Sequence, residues 1–392
     1  MREIRVLQFV NILDRGGTES FIFNNLEKMD HSKVNFDFLL TRDMEEPREA
    51  DLVKYECQKI TIVPNGNNKI ERYVDLYKKL MNFFKKCDYK IIHFESNPPG
   101  IMSTASTLAA RRAGIPVRIL HSHGGGGEKV SFSRIRPIIT RICRYINVKS
   151  CNYYMAPSNS SAVYGFGRKV SRSKRCVIIK NAIDVQKFLF DSNRREFYRR
   201  LLNIDNDTVI LGTVGRISEV KNQEFMIDIF YEYVKYNTNA RLILIGGAVE
   251  TEKSIDEKLK KKVHSLGLED KVVFFGECTD VPGILCALDG FLFTSRTEAL
   301  GIAAIEAQVN GLPVFVAEDG IPREVQITNN VIWHSLKQTP KTWALSIDKK
   351  MKCILNRIID LNDGNIKGVD VRVTSKRLES IYSGLQKSLQ GV

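Results

Sequence analysis

Short apolar runs of β type alternate with stretches of helical periodicity along the whole chain. In the first half the runs Ile4–Val10, Phe36–Leu40, Ile60–Pro64, Lys90–Phe94, Val117–His121, Tyr153–Ala156 and Cys176–Ile179 read as strands. Thr18–Met29, Lys69–Cys87 and Gly100–Arg112 read as helices between them. The second half repeats the scheme, with strands Val209–Val214, Arg241–Ile245, Lys271–Phe275, Gly290–Thr294 and Pro313–Ala317. Its helices are Asn222–Tyr236, Ser254–Leu266 and Gly301–Asn310. Nearly continuous apolar strands alternating with helices predict parallel sheets covered on both faces. The pattern therefore predicts an α/β protein of two doubly wound, Rossmann-like domains, residues 1–190 and 191–375, with the boundary in the polar stretch Asp191–Asn206. A last helical segment falls in 376–392. In such sheets ligands bind outside the carboxyl ends of the strands, so the strand-to-helix turns carry the candidate chemistry.

Composition narrows the class. At 392 residues, 43% hydrophobic and 27% charged, the chain is ordinary for a globular protein of about two domains. No apolar run approaches the ~18 residues of a membrane span, and the start is too charge-interrupted for a signal peptide. The eight cysteines form no C-x-x-C pair, which fits reduced thiols in a cytoplasmic protein. The net charge of +14 is uneven: residues 1–190 hold 32 Lys+Arg against 18 Asp+Glu, while residues 191–392 hold 27 of each. The excess concentrates between Arg111 and Lys187. Within it, Ser133–Lys149 sets Ile135, Ile138, Ile139, Ile142, Tyr145 and Ile146 at helical spacing beside Arg134, Arg141, Arg144 and Lys149. This pattern serves either a core-facing helix or one lying on an anionic membrane surface.

Three turns stand out. Gly16-Gly17 follows the first strand and opens a helix, where backbone N–H groups suit a phosphate or sugar oxygen, or where a tight turn simply needs glycine. There is no G-x-G-x-x-G, and Gly124–Lys129 lacks P-loop spacing, which disfavours a dehydrogenase or ATPase. Gly215–Asn222 (GRISEVKN) brackets a strand-to-helix loop with Arg216 and Lys221, two cations able to converge on one anion. Thr294–Val309 places Glu298 in a loop and Glu306 two turns into a small, apolar helix, beyond the free amides of Leu300, Gly301 and Ile302. A buried acid needs donors, which either a neighbouring cation or a ligand's vicinal hydroxyls supply. His121 and His123 end one strand on the same side; a metal site there lacks a third ligand in the sequence, and His93 ends another strand. Asp205-Asn206-Asp207 reads as a turn before a strand.

Gly16-Gly17, GRISEVKN, Leu244–Gly247, Val272–Gly276, the Glu-x7-Glu pair 298/306 and Gly311-Leu312-Pro313 stand in the order seen in family 4 glycosyltransferases. The sequence resembles those GT-B-fold enzymes, particularly bacterial exopolysaccharide and capsule transferases, and Ala156–Tyr164 and Val177–Phe188 extend the likeness. The resemblance implies two Rossmann-like domains facing across a cleft, and a last helix (Lys376–Gln386) returning to the first domain. It implies a nucleotide-sugar donor, UDP rather than GDP, and no further cofactor or metal. Arg216 and Lys221 would bind the diphosphate, Glu306 the ribose diol and Glu298 the donor sugar. Leu300–Ile302 would complete the phosphate cradle, with Gly16-Gly17 closing it. His121 or His123 would sit by the donor sugar. One departure is Ala299, where the family often has Gly.

The implied reaction is retaining transfer to a hydroxyl of a glycan or polyprenyl-diphosphate-linked acceptor, by a cytoplasmic protein peripheral on the inner face of the cell membrane. A nucleotide-sugar 2-epimerase of the same fold is the rival. A basic nucleic-acid-binding protein would explain the charge, but no binding motif stands there.

Overall fold

The computed structural model describes residues 3–10, 13, 16–43, 48–96, 100–124, 136–248, 252–353 and 357–390. It divides into two compact units, Met1–Ile183 with Gly368–Val392, and Asp184–Lys367.

The first unit carries seven parallel strands: β1 (Ile4–Phe9), β2 (Val34–Leu40), β3 (Lys59–Thr61), β4 (Ile91–Ser96), β5 (Val117–Ser122), β6 (Tyr153–Ala156) and β7 (Cys176–Ile178). Their order is β3-β2-β1-β4-β5-β6-β7. Alternating side chains feed two cores. Val6, Phe36, Phe38, Ile91 and Ile119 pack under the helices Gly17–Lys28 and Val371–Gln390 through Phe21, Leu26, Leu378 and Tyr382. Leu7, Leu39, Ile92, Phe94 and Leu120 pack under the helices Lys69–Lys86 and Ile101–Arg112 through Leu76, Leu80, Phe84 and Ala109. Both faces are thus covered, which is why the strands lack polar alternation.

The second unit holds β8 (Val209–Val214), β9 (Ala240–Ile245), β10 (Val272–Gly276), β11 (Gly290–Phe293), β12 (Val314–Ala317) and β13 (Val331–His334), in the order β10-β9-β8-β11-β12-β13, again parallel. Each sheet reverses direction once, between β1 and β4 and between β8 and β11. At such a reversal the adjacent loops diverge and open a crevice at the carboxyl edge.

The boundaries differ from the sequence reading. Asp191–Asn206 is not a linker: Asp191 accepts from the N–H groups of Asn193 and Arg194 and starts the helix Ser192–Leu201. That helix belongs to the second unit because Arg199, fully buried, donates to Asp289 and to the carbonyls of Ala287, Asp205 and Thr208. The unit changes at 183/184 rather than 190/191, and the returning segment begins at Gly368 rather than 376. Ile183 there donates to the Val369 carbonyl and Val371 to that of Ile183. The strand β13 was also not read from the sequence, being four residues behind the polar Thr328–Asn330.

Candidate active site

At the end of β8 the chain turns through Gly215, whose φ is +153°, and passes so close to Gly246 that a methyl group on Gly246 would lie 2.3 Å from the Gly215 carbonyl. Only glycine tolerates that approach. The loop ends at Asn222, held in the left-handed region (φ +57°) before the helix Gln223–Tyr233. Its side chain bridges to the loop after β11: Nδ2 donates to the Thr294 carbonyl at 3.3 Å, and Oδ1 accepts from Arg296 at 3.0 Å. Thr294 Oγ1 donates back to the Asn222 carbonyl at 3.1 Å, and the Arg296 N–H to that of Val220 at 2.8 Å. The two loops flanking the β8/β11 reversal are therefore one rigid piece.

Lys221 Nζ lies 2.6 Å from Glu298 Oε1, so two of the sequence candidates, 77 residues apart, form an ion pair. Its stem runs over Gly215, within van der Waals reach of where a side chain there would begin. Arg216 has its carbonyl pinned by Gln223 Nε2 at 2.8 Å, while its guanidinium is exposed and has no partner among the described residues. This loop thus offers one free and one shared cation.

The loop after β11 is held by Gly320, against which the Arg296 carbonyl packs too tightly for any side chain, and by the bond from the Glu298 N–H to the Gly320 carbonyl at 3.1 Å. It ends at Gly301, φ +97°, wedged against Phe293 and Val325. The helix Ile302–Val309 follows. The N–H groups of Leu300, Gly301 and Ile302 have no acceptor among the described residues, and no side chain caps this helix. They present the positive end of a helix dipole. Glu306 sits in the second turn, partly covered, with no donor or cation reaching its carboxyl among the described residues. Burial pushes that carboxyl up to about 7. A carboxyl so placed gains most from a ligand that brings hydroxyl donors.

In the first unit, Gly17 opens the helix Gly17–Lys28, and the Glu19 carboxyl rests against Gly16 where a side chain there would stand. At the carboxyl ends of β4 and β5, His93, Glu95, His121 and His123 form one buried cluster. Glu95 Oε2 lies 2.5 Å from His123 Nε2 and 3.2 Å from His121 Nδ1, and Oε1 lies 3.6 Å from His93 Nε2. Burial opposes ionisation of Glu95, but the imidazoles outweigh it and hold the carboxyl well below its usual range. Burial, then the neighbouring His123, pushes His121 down to about 3. The partners the sequence lacked for a metal set come from β4: His93, Glu95 and His121 each bring a donor atom within 4.8 Å of the others, a spacing that would also admit a divalent cation.

Known proteins place this architecture. Residues 15–187 match the profile described as Glycosyltransferase Family 4, and residues 194–356 that described as Glycosyl transferases group 1. The chain belongs to the family 4 glycosyltransferases. The capsular polysaccharide biosynthesis glycosyltransferase CapH of Staphylococcus aureus is 24% identical over 97% of this chain and 98% of its own. The UDP-Gal:alpha-D-GlcNAc-diphosphoundecaprenol alpha-1,3-galactosyltransferase of Escherichia coli is 25% identical over 71% of this chain and 68% of its own. The structure of Anabaena HepE in complex with UDP-glucose superposes with a TM-score of 0.72 at 17% identity, covering all of both chains. The fold of this glycosyltransferase is therefore GT-B, two Rossmann-like units.

In the transferase, the structure pairs the sequence candidates Lys221 and Glu298 and puts Arg216 on the same loop as Lys221, while the groups that position them were not read from the sequence. Asn222 carried a signal, since an asparagine before a helix tolerates the left-handed region. Glu95 carried none: it is one acid in an apolar strand until β5 is laid beside it in register, Glu95 opposite His121. His93, set apart in the sequence as one more strand-end histidine, joins the other two.

Proposed function

We propose that the enzyme transfers a sugar, with retention at C1, from a UDP-sugar to a hydroxyl of a glycan or polyprenyl-diphosphate-linked acceptor in surface polysaccharide synthesis. The observation that carries this reading is the Arg216–Lys221 loop joined to the Glu298 loop and to the free amides of 300–302, an anion site at the β8/β11 reversal. The chemical demand is a diphosphate that accumulates charge as the C1–O bond breaks. Arg216, Lys221 and the helix N-terminus meet it by electrostatic stabilisation, without calling for a metal ion. The new bond forms from the acceptor oxygen to C1 on the same face, and the acceptor's proton passes to the departing phosphate oxygen. CapH, the Escherichia coli galactosyltransferase and the UDP-glucose complex of HepE support the pathway, the lipid-linked acceptor and the donor base in that order. Incubation with UDP-sugars should release UDP only when a hydroxyl acceptor is added, with the α-linkage of the donor kept in the product. UDP release independent of acceptor, or epimerised donor, would replace transfer with the epimerase reading.

The membrane side of the proposal rests on the helix Arg136–Ser150. Its inner face is Cys143, Asn147 and Ser150, while Ile138, Ile142 and Tyr145 are 60, 54 and 64% exposed, next to the exposed Arg141 and Lys149. Residues 133–135 of the predicted segment lie outside the described residues. Of the two uses left open by the pattern, an exposed apolar stripe favours a lipid surface over a core. No helix among the described residues is long and apolar enough to cross a membrane, so association would be peripheral. Each basic residue near an anionic surface adds about 1 kcal/mol. Sedimentation should show binding to vesicles rich in phosphatidylglycerol and about tenfold weaker binding to phosphatidylcholine. Replacing Ile138, Ile142 and Tyr145 with Ser should abolish most of the anionic binding. Equal binding to both lipids would remove the membrane from the proposal.

A further inference from the structure

At the ends of β4 and β5 the first unit buries polar atoms that it leaves unsatisfied. His121 is fully buried, yet neither of its ring nitrogens has a hydrogen-bond partner, and the same holds for His93 Nε2 and Glu95 Oε1. Buried polar groups are nearly always paired, so an imidazole with both nitrogens orphaned needs a cause. Glu95 adds a charge. Its side chain is 1% exposed, and among the described residues no lysine or arginine pairs with it. A buried carboxylate is stable only beside a compensating positive charge.

The orphaned atoms converge on one point. His93, Glu95 and His121 each bring a donor atom within 4.8 Å of the others. His93 Nε2 lies 3.6 Å from Glu95 Oε1, and His121 Nδ1 lies 3.2 Å from Glu95 Oε2 without the alignment of a hydrogen bond. Two ligands held at about 2.0–2.1 Å by one tetrahedral ion stand about 3.3 Å apart, so both separations suit neighbours on a metal. The surroundings have the form of an outer shell. Tyr382, from the helix Val371–Gln390, sets its hydroxyl 2.8 Å from His93 Nδ1. With Nδ1–H donating to that oxygen, His93 Nε2 keeps its lone pair for an ion. His123 Nε2 lies 2.5 Å from Glu95 Oε2 and orients the carboxylate, while Phe21 shields His121 edge-on at 4.8 Å. All of these residues belong to the first unit.

We propose that His93, Glu95 and His121 bind a zinc ion that ties β4 to β5 and, through Tyr382, the helix Val371–Gln390 to the sheet. Two imidazoles and a carboxylate suit zinc, whereas magnesium and calcium favour oxygen ligands throughout. The ion takes no step in sugar transfer, so the inference stands apart from the transfer reading above.

The test uses the intact, untagged enzyme, stripped with chelator and dialysed against equimolar zinc. Elemental analysis should find about one zinc per chain, and Tm should rise by several degrees over the stripped protein. Magnesium at the same concentration should leave Tm unmoved. X-ray absorption at the zinc edge should show imidazole and oxygen ligands and no sulfur. His121→Asn and Glu95→Gln should each hold less than about a tenth of the native zinc. Tyr382→Phe, which keeps the ring in the core, should fold and bind zinc about 10–100-fold more weakly. Should the two ligand variants fail to fold, the absorption spectrum and Tyr382→Phe decide. No zinc retained by the native protein, sulfur among the ligands, zinc kept by both folded ligand variants, or native affinity in Tyr382→Phe each overturns the proposal.

Discussion

Replacing Glu306 with Ala is expected to lower kcat/KM by about two to four decades. The carboxyl stands in the second turn of the helix Ile302–Val309 with nothing donating to it among the described residues, and desolvation raises it to about 7. A ribose diol would give it two charge-assisted hydrogen bonds, at roughly 1.5–3 kcal/mol each, and both would be lost in the alanine variant. The raised carboxyl adds a pH signature. Only the ionised form accepts both hydroxyls, so nucleotide affinity should strengthen as pH rises through about 7. For a single group the dissociation constant should fall about tenfold from pH 6 to pH 8. Glu306→Gln, which cannot ionise, should flatten that dependence. Isothermal titration with UDP across this range checks the sign, and steady-state kinetics checks the size. Native kinetics in the alanine variant would take Glu306 out of the site.

Lys221→Ala is the second large effect, expected at about 10²–10³ in kcat with a smaller change in KM. Its charge matters most when the diphosphate departs, and removing one preorganised donor to a developing anion typically costs this much. The pairing with Glu298 sharpens the expectation. In the free enzyme Lys221 is partly neutralised by Glu298, which also holds it in place over Gly215. Glu298→Gln should therefore loosen Lys221 as well as any sugar contact, and the double variant should lose less than the two single losses combined. Strict additivity of the two would mean that the ion pair has no part in the reaction.

The candidate residues of the second unit were legible because they lie on short segments whose local chemistry is self-contained. A strand of β type followed by Gly215, two cations and a helix names a strand-to-helix turn without any tertiary knowledge. The same holds for Gly301 before a run of small apolar residues. The first unit was less legible for the opposite reason. Its cluster is built from two strands whose paired residues, Glu95 and His121, lie 26 apart in sequence, and from a tyrosine at the far end of the chain, so no short window of sequence contains it. The boundary near residue 190 was misplaced on similar grounds. Arg199 looks like one more surface charge in a polar stretch until its guanidinium meets Asp289 and three carbonyls.

By itself the sequence determined two parallel α/β units, a basic first half, and which cations and acids stand at the strand-to-helix turns of the second half, because periodicity and glycine placement are local properties. Tertiary structure alone decided that Lys221 is shared with Glu298, that Ile138, Ile139 and Ile142 of the helix Arg136–Ser150 face outward, and that one buried carboxylate is ringed by three imidazoles. Each of those depends on which neighbour the fold lays alongside, and strand register and helix packing set that only once the whole unit has closed.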